Sequence, residues 1–174
     1  HQLFSHPDFN SWLDVSRAEA LGRKALTYYA RISLYQASLL EGAQRTDEAQ
    51  ATLLQIVGKV PIEYLASEAL GRTGLVLAEL EFPSASRYLK ALLDRYPESS
   101  QPAMAFAGLA RQHFREGSFA EVLPWLERFS TEAPVHPLSA QAALLRGRAL
   151  IGLGDAAVAI STFEQLLRLK AARG

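Results

Sequence analysis

The sequence predicts an all-α chain built as a solenoid of stacked antiparallel helix pairs, and three observations predict it. Pro61, Pro97 and Pro134 recur at steps of 36 and 37 residues. Twelve residues before them lie Ala49, Ala85 and Val122, small or apolar, and Ala159 continues that series beyond Pro134. No stretch of strand length alternates β-branched with polar residues, while Ala, Leu, Arg, Glu and Gln, all good helix formers, dominate. A unit of this length cannot bury its apolar face alone, so each copy stacks on the next and the array presents a continuous surface.

Taken in order, apolar residues at Trp12, Leu13, Ala20, Leu21, Leu26, Ile32, Leu34, Leu39 and Leu40 suit a helical period. Ser11 with Asp14 after Pro7 resembles a capping box, and Gly22 is a point of break or bend. Residues 1–25 do not fit the repeat and are expected to form an atypical helical cap or the remnant of an earlier repeat. An array over 26–174 follows, with repeats at about 26–61, 62–97, 98–134 and 135–171. The expected pairs are 26–42 with 46–59, 63–79 with 83–95, 101–115 with 118–131, and 138–152 with 155–170. Gly42, Pro83, Gly117 and Gly154 punctuate the pairs internally, and the three repeating prolines separate them. Pro124 falls inside a helix, where it removes a backbone donor and predicts a kink.

Composition narrows the function. Eighteen basic and eighteen acidic residues leave no net charge, so the balance gives no footprint of a binder of nucleic acid or of an acidic membrane surface, with local patches left open. With no cysteine, disulfides, thiolate nucleophiles and cysteine-held metals are excluded. No apolar run has the length of a membrane span, so direct membrane insertion by this chain is not expected. Beginning at His1 without an initiating Met, the sequence reads as an excised or processed piece, or one carrying a tag remnant, and leaves open a targeting segment or anchor upstream.

The third pair carries a resemblance. Phe106-Ala107-Gly108-Leu109-Ala110, then Gly117-Ser118-Phe119-Ala120-Glu121-Val122, then Leu126, Phe129 and Pro134, set large, small and helix-ending residues at the offsets of a tetratricopeptide repeat. The fourth pair repeats them with Gly147, Gly154, Ala159, Phe163 and Leu166. Looser versions run through Ala37, Ala49, Leu53, Ile56 and Pro61, and through Thr73, Ala85, Leu89, Leu92 and Pro97. The resemblance implies a right-handed superhelix. Steps longer than that family's commonest 34 residues, together with Arg95-Tyr96-Pro97-Glu98-Ser99-Ser100, are similar to a bacterial envelope subgroup. That subgroup includes the lipoprotein of the outer-membrane β-barrel assembly machine and the periplasmic coordinator associated with the Tol-Pal system.

In that family the first helix of each pair lines a concave groove. Carried over, the groove positions are Arg31, Leu34, Ser38 and Glu41, then Ser67, Leu70, Gly74 and Leu77. Met104, Ala107, Arg111, Phe114 and Arg115 follow, then Gln141, Leu144, Arg148 and Ile151. Gly74 would leave a shallow spot. Arg111 and Arg148 occupy equivalent positions with Arg115 one turn along, a cluster suited to a carboxylate or an acidic peptide, or else to internal acids such as Glu116. Met104, Phe114 and Leu144 offer apolar anchors, or packing between repeats. The lysine and asparagine set with which chaperone-binding members grip a C-terminal carboxylate is missing, because Leu34, Leu70, Ser38 and Gly74 stand in its places.

No catalytic or metal constellation is expected. His113 with Glu116 matches neither a metalloprotease signature nor a nucleophile-base pair, and His6 and His136 are scattered. Gly71 with Gly74 and Gly152 with Gly154 lack the strand-turn-helix setting of a phosphate loop. Asp47-Glu48, Glu79 and Glu81 fit helix caps and solvated faces better than general acids. The expectation is a non-enzymatic interaction scaffold without a cofactor, periplasmic or otherwise in a bacterial cell envelope, that binds a protein or peptide segment and has array ends able to self-associate. The competing expectation is a regulatory module packed on a neighbouring domain of a larger enzyme or secretion-machine protein, with a cytoplasmic location open to it.

Overall fold

The computed structural model describes residues 14–15 and 26–171, with side chains as far as Arg168. Asp14 and Val15 are helical. The rest of the expected cap, with Ser11, Gly22 and His6, lies outside the described residues.

Among the described residues there are eight α-helices and no strand, as the repeat predicts. They are α1 (Leu26–Gly42), α2 (Thr46–Lys59), α3 (Ser67–Glu79), α4 (Ala85–Arg95), α5 (Pro102–Arg115), α6 (Phe119–Glu132), α7 (Ser139–Gly152) and α8 (Ala156–Ala171). Each odd-numbered helix packs on the even one after it. Successive pairs stack through the odd helices, α1 on α3, α3 on α5 and α5 on α7, and the second helix of one pair also meets the first helix of the next. None of these helices is long and apolar enough to cross a membrane.

The turn inside each pair is one motif used four times. Gln44, Glu81, Gly117 and Gly154 have positive φ, at 61°, 66°, 73° and 86°. The next amide in each case reaches back five residues, from Arg45 to Leu40, Phe82 to Leu77, Ser118 to His113 and Asp155 to Leu150, at 2.8 to 2.9 Å. This is the Schellman ending, in which a left-handed residue lets free helix carbonyls find donors. Gly42 and Pro83 punctuate the first two turns, but Gln44 and Glu81 carry the left-handed residue.

The second pair begins later than its spacing predicts. Ile62–Tyr64 form a single 3-10 turn and Leu65 is extended and fully buried, so α3 starts only at Ser67. The Arg95 guanidinium donates to the carbonyls of Ile62, Glu63 and Leu65 at 2.8, 3.0 and 3.2 Å, and the Tyr96 hydroxyl to Leu65 at 3.3 Å. The Arg-Tyr-Pro segment therefore clamps the linker that precedes its own pair.

Two apolar clusters overlap at α5. One gathers Tyr29, Leu53, Ile56, Leu77 and Leu89 with Ala105 and Leu109, the other Phe106, Val122, Leu126 and Phe129 with Ala142 and Ala149. Leu89 is wedged between α3 and α5: a Cβ on Gly74 or Gly108 would sit 2.6 or 2.5 Å from its methyl groups. Helix α6 runs unbroken through Pro124. Its ring leaves the Ala120 carbonyl without a helical donor, and both residues are exposed, so water can take that place.

Candidate functional site

The open faces of the odd helices form the groove, and the structure sorts the expected residues into three groups. On α1, Arg31, Ser38 and Glu41 are exposed, but Leu34 is buried and Tyr35 takes its place on the open face. On α3, Leu70, Gly74 and Leu77 are buried, and the groove-facing stripe is Glu68, which is exposed, with the partly buried Arg72, Leu75 and Glu79. Gly74 makes no shallow spot because Leu89 fills the space over it. The reason on α3 is rotational: the left-handed turn residues Gln44 and Glu81 lie 37 residues apart, whereas the expected α3 positions follow α1 at a step of 36, and a slip of one residue turns a helix face by about 100°. On α5, Met104, Arg111 and Phe114 are half-buried, Arg115 is open and Ala107 is buried, while Gln141, Leu144, Arg148 and Ile151 on α7 are all exposed.

Arginines tie each first helix to the one before it. Arg72, with an 11% exposed side chain, donates to the Leu34 carbonyl at 3.2 Å, the Ser38 hydroxyl at 2.6 Å and the Glu41 carboxylate at 2.8 Å. Arg111 donates to the Glu79 carboxylate at 2.7 Å and the Gln141 side-chain oxygen at 3.3 Å. Arg115 donates to the last carbonyls of α3, those of Ala78 and Glu79, and lies 3.3 Å from Glu81. Sequence reasoning missed Arg72; the Glu68 four residues before it was its only nearby signal, since Glu41 lies 31 residues away.

Arg148 differs. Its guanidinium sits 4.7 Å from the centre of the Phe114 ring, which in turn lies 5.3 Å from Phe119, and it has no acidic partner among the described residues. Arg111, Arg115 and Arg148 do come together: with Phe114, Gln141, Leu144, Leu145 and Glu81 they line one groove of about 370 Å³ between α5 and α7. A second stretch of about 330 Å³ runs from Glu41 and Arg72 past Leu75, Glu79 and Met104 to residues 136–138. Glu79, bound by Arg111, links the two.

At the rim, burial holds the His136 imidazole below its ordinary pKa, and its Nδ1 accepts the Leu138 amide at 3.2 Å. His113 pairs loosely with Glu116 at 3.6 Å. Among the described residues no three His, Cys, Asp or Glu side chains converge as metal ligands.

Residues 126–173 match the family model of the tetratricopeptide repeat. The match takes in the end of α6 with α7 and α8, and it supports reading the chain as a protein-interaction module of that repeat type. No match is found among curated proteins.

Proposed function

We propose that the chain is a non-enzymatic scaffold that grips an acidic segment of another protein in the groove between α5 and α7. One observation carries this reading: Arg148 stacks on Phe114 without a carboxylate of its own, beside Leu144, whose side chain is 47% exposed. A cation held flat by a ring and flanked by an open leucine is suited to a peptide that alternates acidic and apolar residues. Arg111 and Arg115 are occupied by Glu79, Glu81 and helix carbonyls, so they shape the groove wall and leave recognition to Arg148, Gln141 and Leu144. The cell-envelope assignment rests on the Tyr-Pro resemblance and the absence of cysteine. Fractionation of the tagged full-length protein tests it.

Panning a displayed peptide library on the 174-residue chain tests the groove. The expected result is enrichment of peptides carrying Asp or Glu beside Leu or Phe, with affinity falling about tenfold in Arg148→Glu and Leu144→Asp. No enrichment, or peptides that bind Arg148→Glu unchanged, would overturn it.

A further inference from the structure

The groove between the second helices of the last two pairs, α6 and α8, is a mould with its filling removed. It encloses about 370 Å³ and shares no lining residue with the α5–α7 groove. Its cause is visible one repeat earlier, at positions 37 residues before. There Phe106 and Trp125 stack with ring centres 6.3 Å apart, Leu109 is 1% exposed and Leu93 packs against both apolar clusters. One repeat on, the equivalents of Phe106, Trp125 and Leu109 are Ala143, Thr162 and Arg146 of the last pair and the equivalent of Leu93 is Ser130 of α6, all of them lining the groove. Leu126, Phe129, Ala142 and Leu166 give the groove an apolar floor. The stack is gone and the space it filled is open.

The replacements also set the chemistry. Arg146 stands where a buried leucine stood, is exposed, and has no acidic partner among the described residues. Ser130, Ser161, Thr162 and Gln165 give the remaining rim hydrogen-bonding groups. From this geometry we infer that the α6–α8 groove is a second docking site, taking an aromatic side chain of a partner protein with a carboxylate next to it. The ring replaces the missing stack over Leu126 and Phe129, and the carboxylate meets Arg146. This surface is independent of the α5–α7 groove and survives failure of that reading.

The test is a titration of the ¹⁵N-labelled 174-residue chain with acetyl-Asp-Trp-Asp amide, followed by amide chemical shifts. Saturable shifts are expected at Ala143, Arg146 and Thr162. Affinity should fall about tenfold in Arg146→Glu, and acetyl-Asp-Ala-Asp amide should leave the shifts unmoved. The double variant Ala143→Phe with Thr162→Trp restores the chain's own stack; it should abolish binding and raise the melting temperature, and Thr162→Trp alone is the reserve if the pair does not fold. Absence of saturable shifts overturns the proposal, as does unchanged binding to the filled variant. Free indole binding as tightly as the peptide would assign the groove to a small molecule and overturn it too. So would concentration-dependent dimerisation in sedimentation that the filled variant abolishes, which would assign the groove to a second copy.

Discussion

The α3–α5 junction and the α5–α7 junction share one repeat geometry and hold together by different chemistry. In the first, Leu89 is wedged between two glycines, Arg111 is bound to Glu79, and Arg115 takes the final carbonyls of α3. In the second, Arg148 rests on an aromatic ring, Gly152 replaces Arg115 beneath the Phe119 ring, and the residue equivalent to Leu89 is Leu126 of α6, buried but facing no glycine. The turns divide the same way, with Gln44 and Glu81 held left-handed in the first two pairs and glycine in that role in the last two. Stacking alone does not decide what a repeat surface is for. Where arginines are consumed by internal carboxylates the junction is latched, and where they are not it is left available to a partner.

The largest expected difference lies between the Leu89 wedge and Phe163 of α8, which packs on Gly147 inside the last pair. Leu89→Ala should cost about 3 kcal/mol in denaturant unfolding, as for a fully buried leucine in a site that cannot collapse, and Phe163→Ala should cost clearly less because it begins half-exposed. Equal costs would show the last pair to be held as firmly as the α3–α5 junction. Next come the latches: a double-mutant cycle on Arg111 and Glu79 should return a coupling of about 1 kcal/mol, and one on Arg148 and Phe114 about 0.5 kcal/mol. Gln44→Gly should raise stability by about 0.5 kcal/mol or slightly more, since it removes a side chain from the left-handed region, and Gly117→Ala should lower it by about 1 kcal/mol. A melting series that shows no gain for Gln44→Gly would remove the contrast between the turns.

The smallest effect is electrostatic. Burial disfavours the charged form of His136 in the folded chain, so its pKa lies below the unfolded value of about 6.5. The stabilising contribution is therefore present above that value and is lost as pH falls through the lowered folded one. His136→Asn should flatten this part of the pH-stability curve and leave the alkaline side unchanged.

The helix pairs were legible because proline and glycine act locally: seven of the eight expected starts fall within two residues of the observed ones, and the exception, α3, was delayed by the buried plug at Leu65. The groove was legible only in part. Arg111, Arg115 and Arg148 fall where the repeat step puts them, but Gly74 turned inward because α3 is offset by one residue from the expected step, and Leu34, like Ala107 in the same register, packs into the core. Glu68 apart, the partners of Arg72 and the linker carbonyls bound by Arg95 lie 30 to 38 residues away in sequence, so little in the local pattern announces either latch.

The wedged Leu89 has a consequence for how the array opens. Because one side chain touches α3 and α5 at once, neither helix can detach without exposing the contact that holds the other. The second and third pairs are thereby linked into one cooperative block, in which energy passes between neighbours through the intervening second helix. Helix α8 has only Ala159 fully buried among its described side chains, so it lies outside that block. Amide protons of α8 should exchange with solvent by local opening while those of α3 to α5 wait for the whole block to unfold.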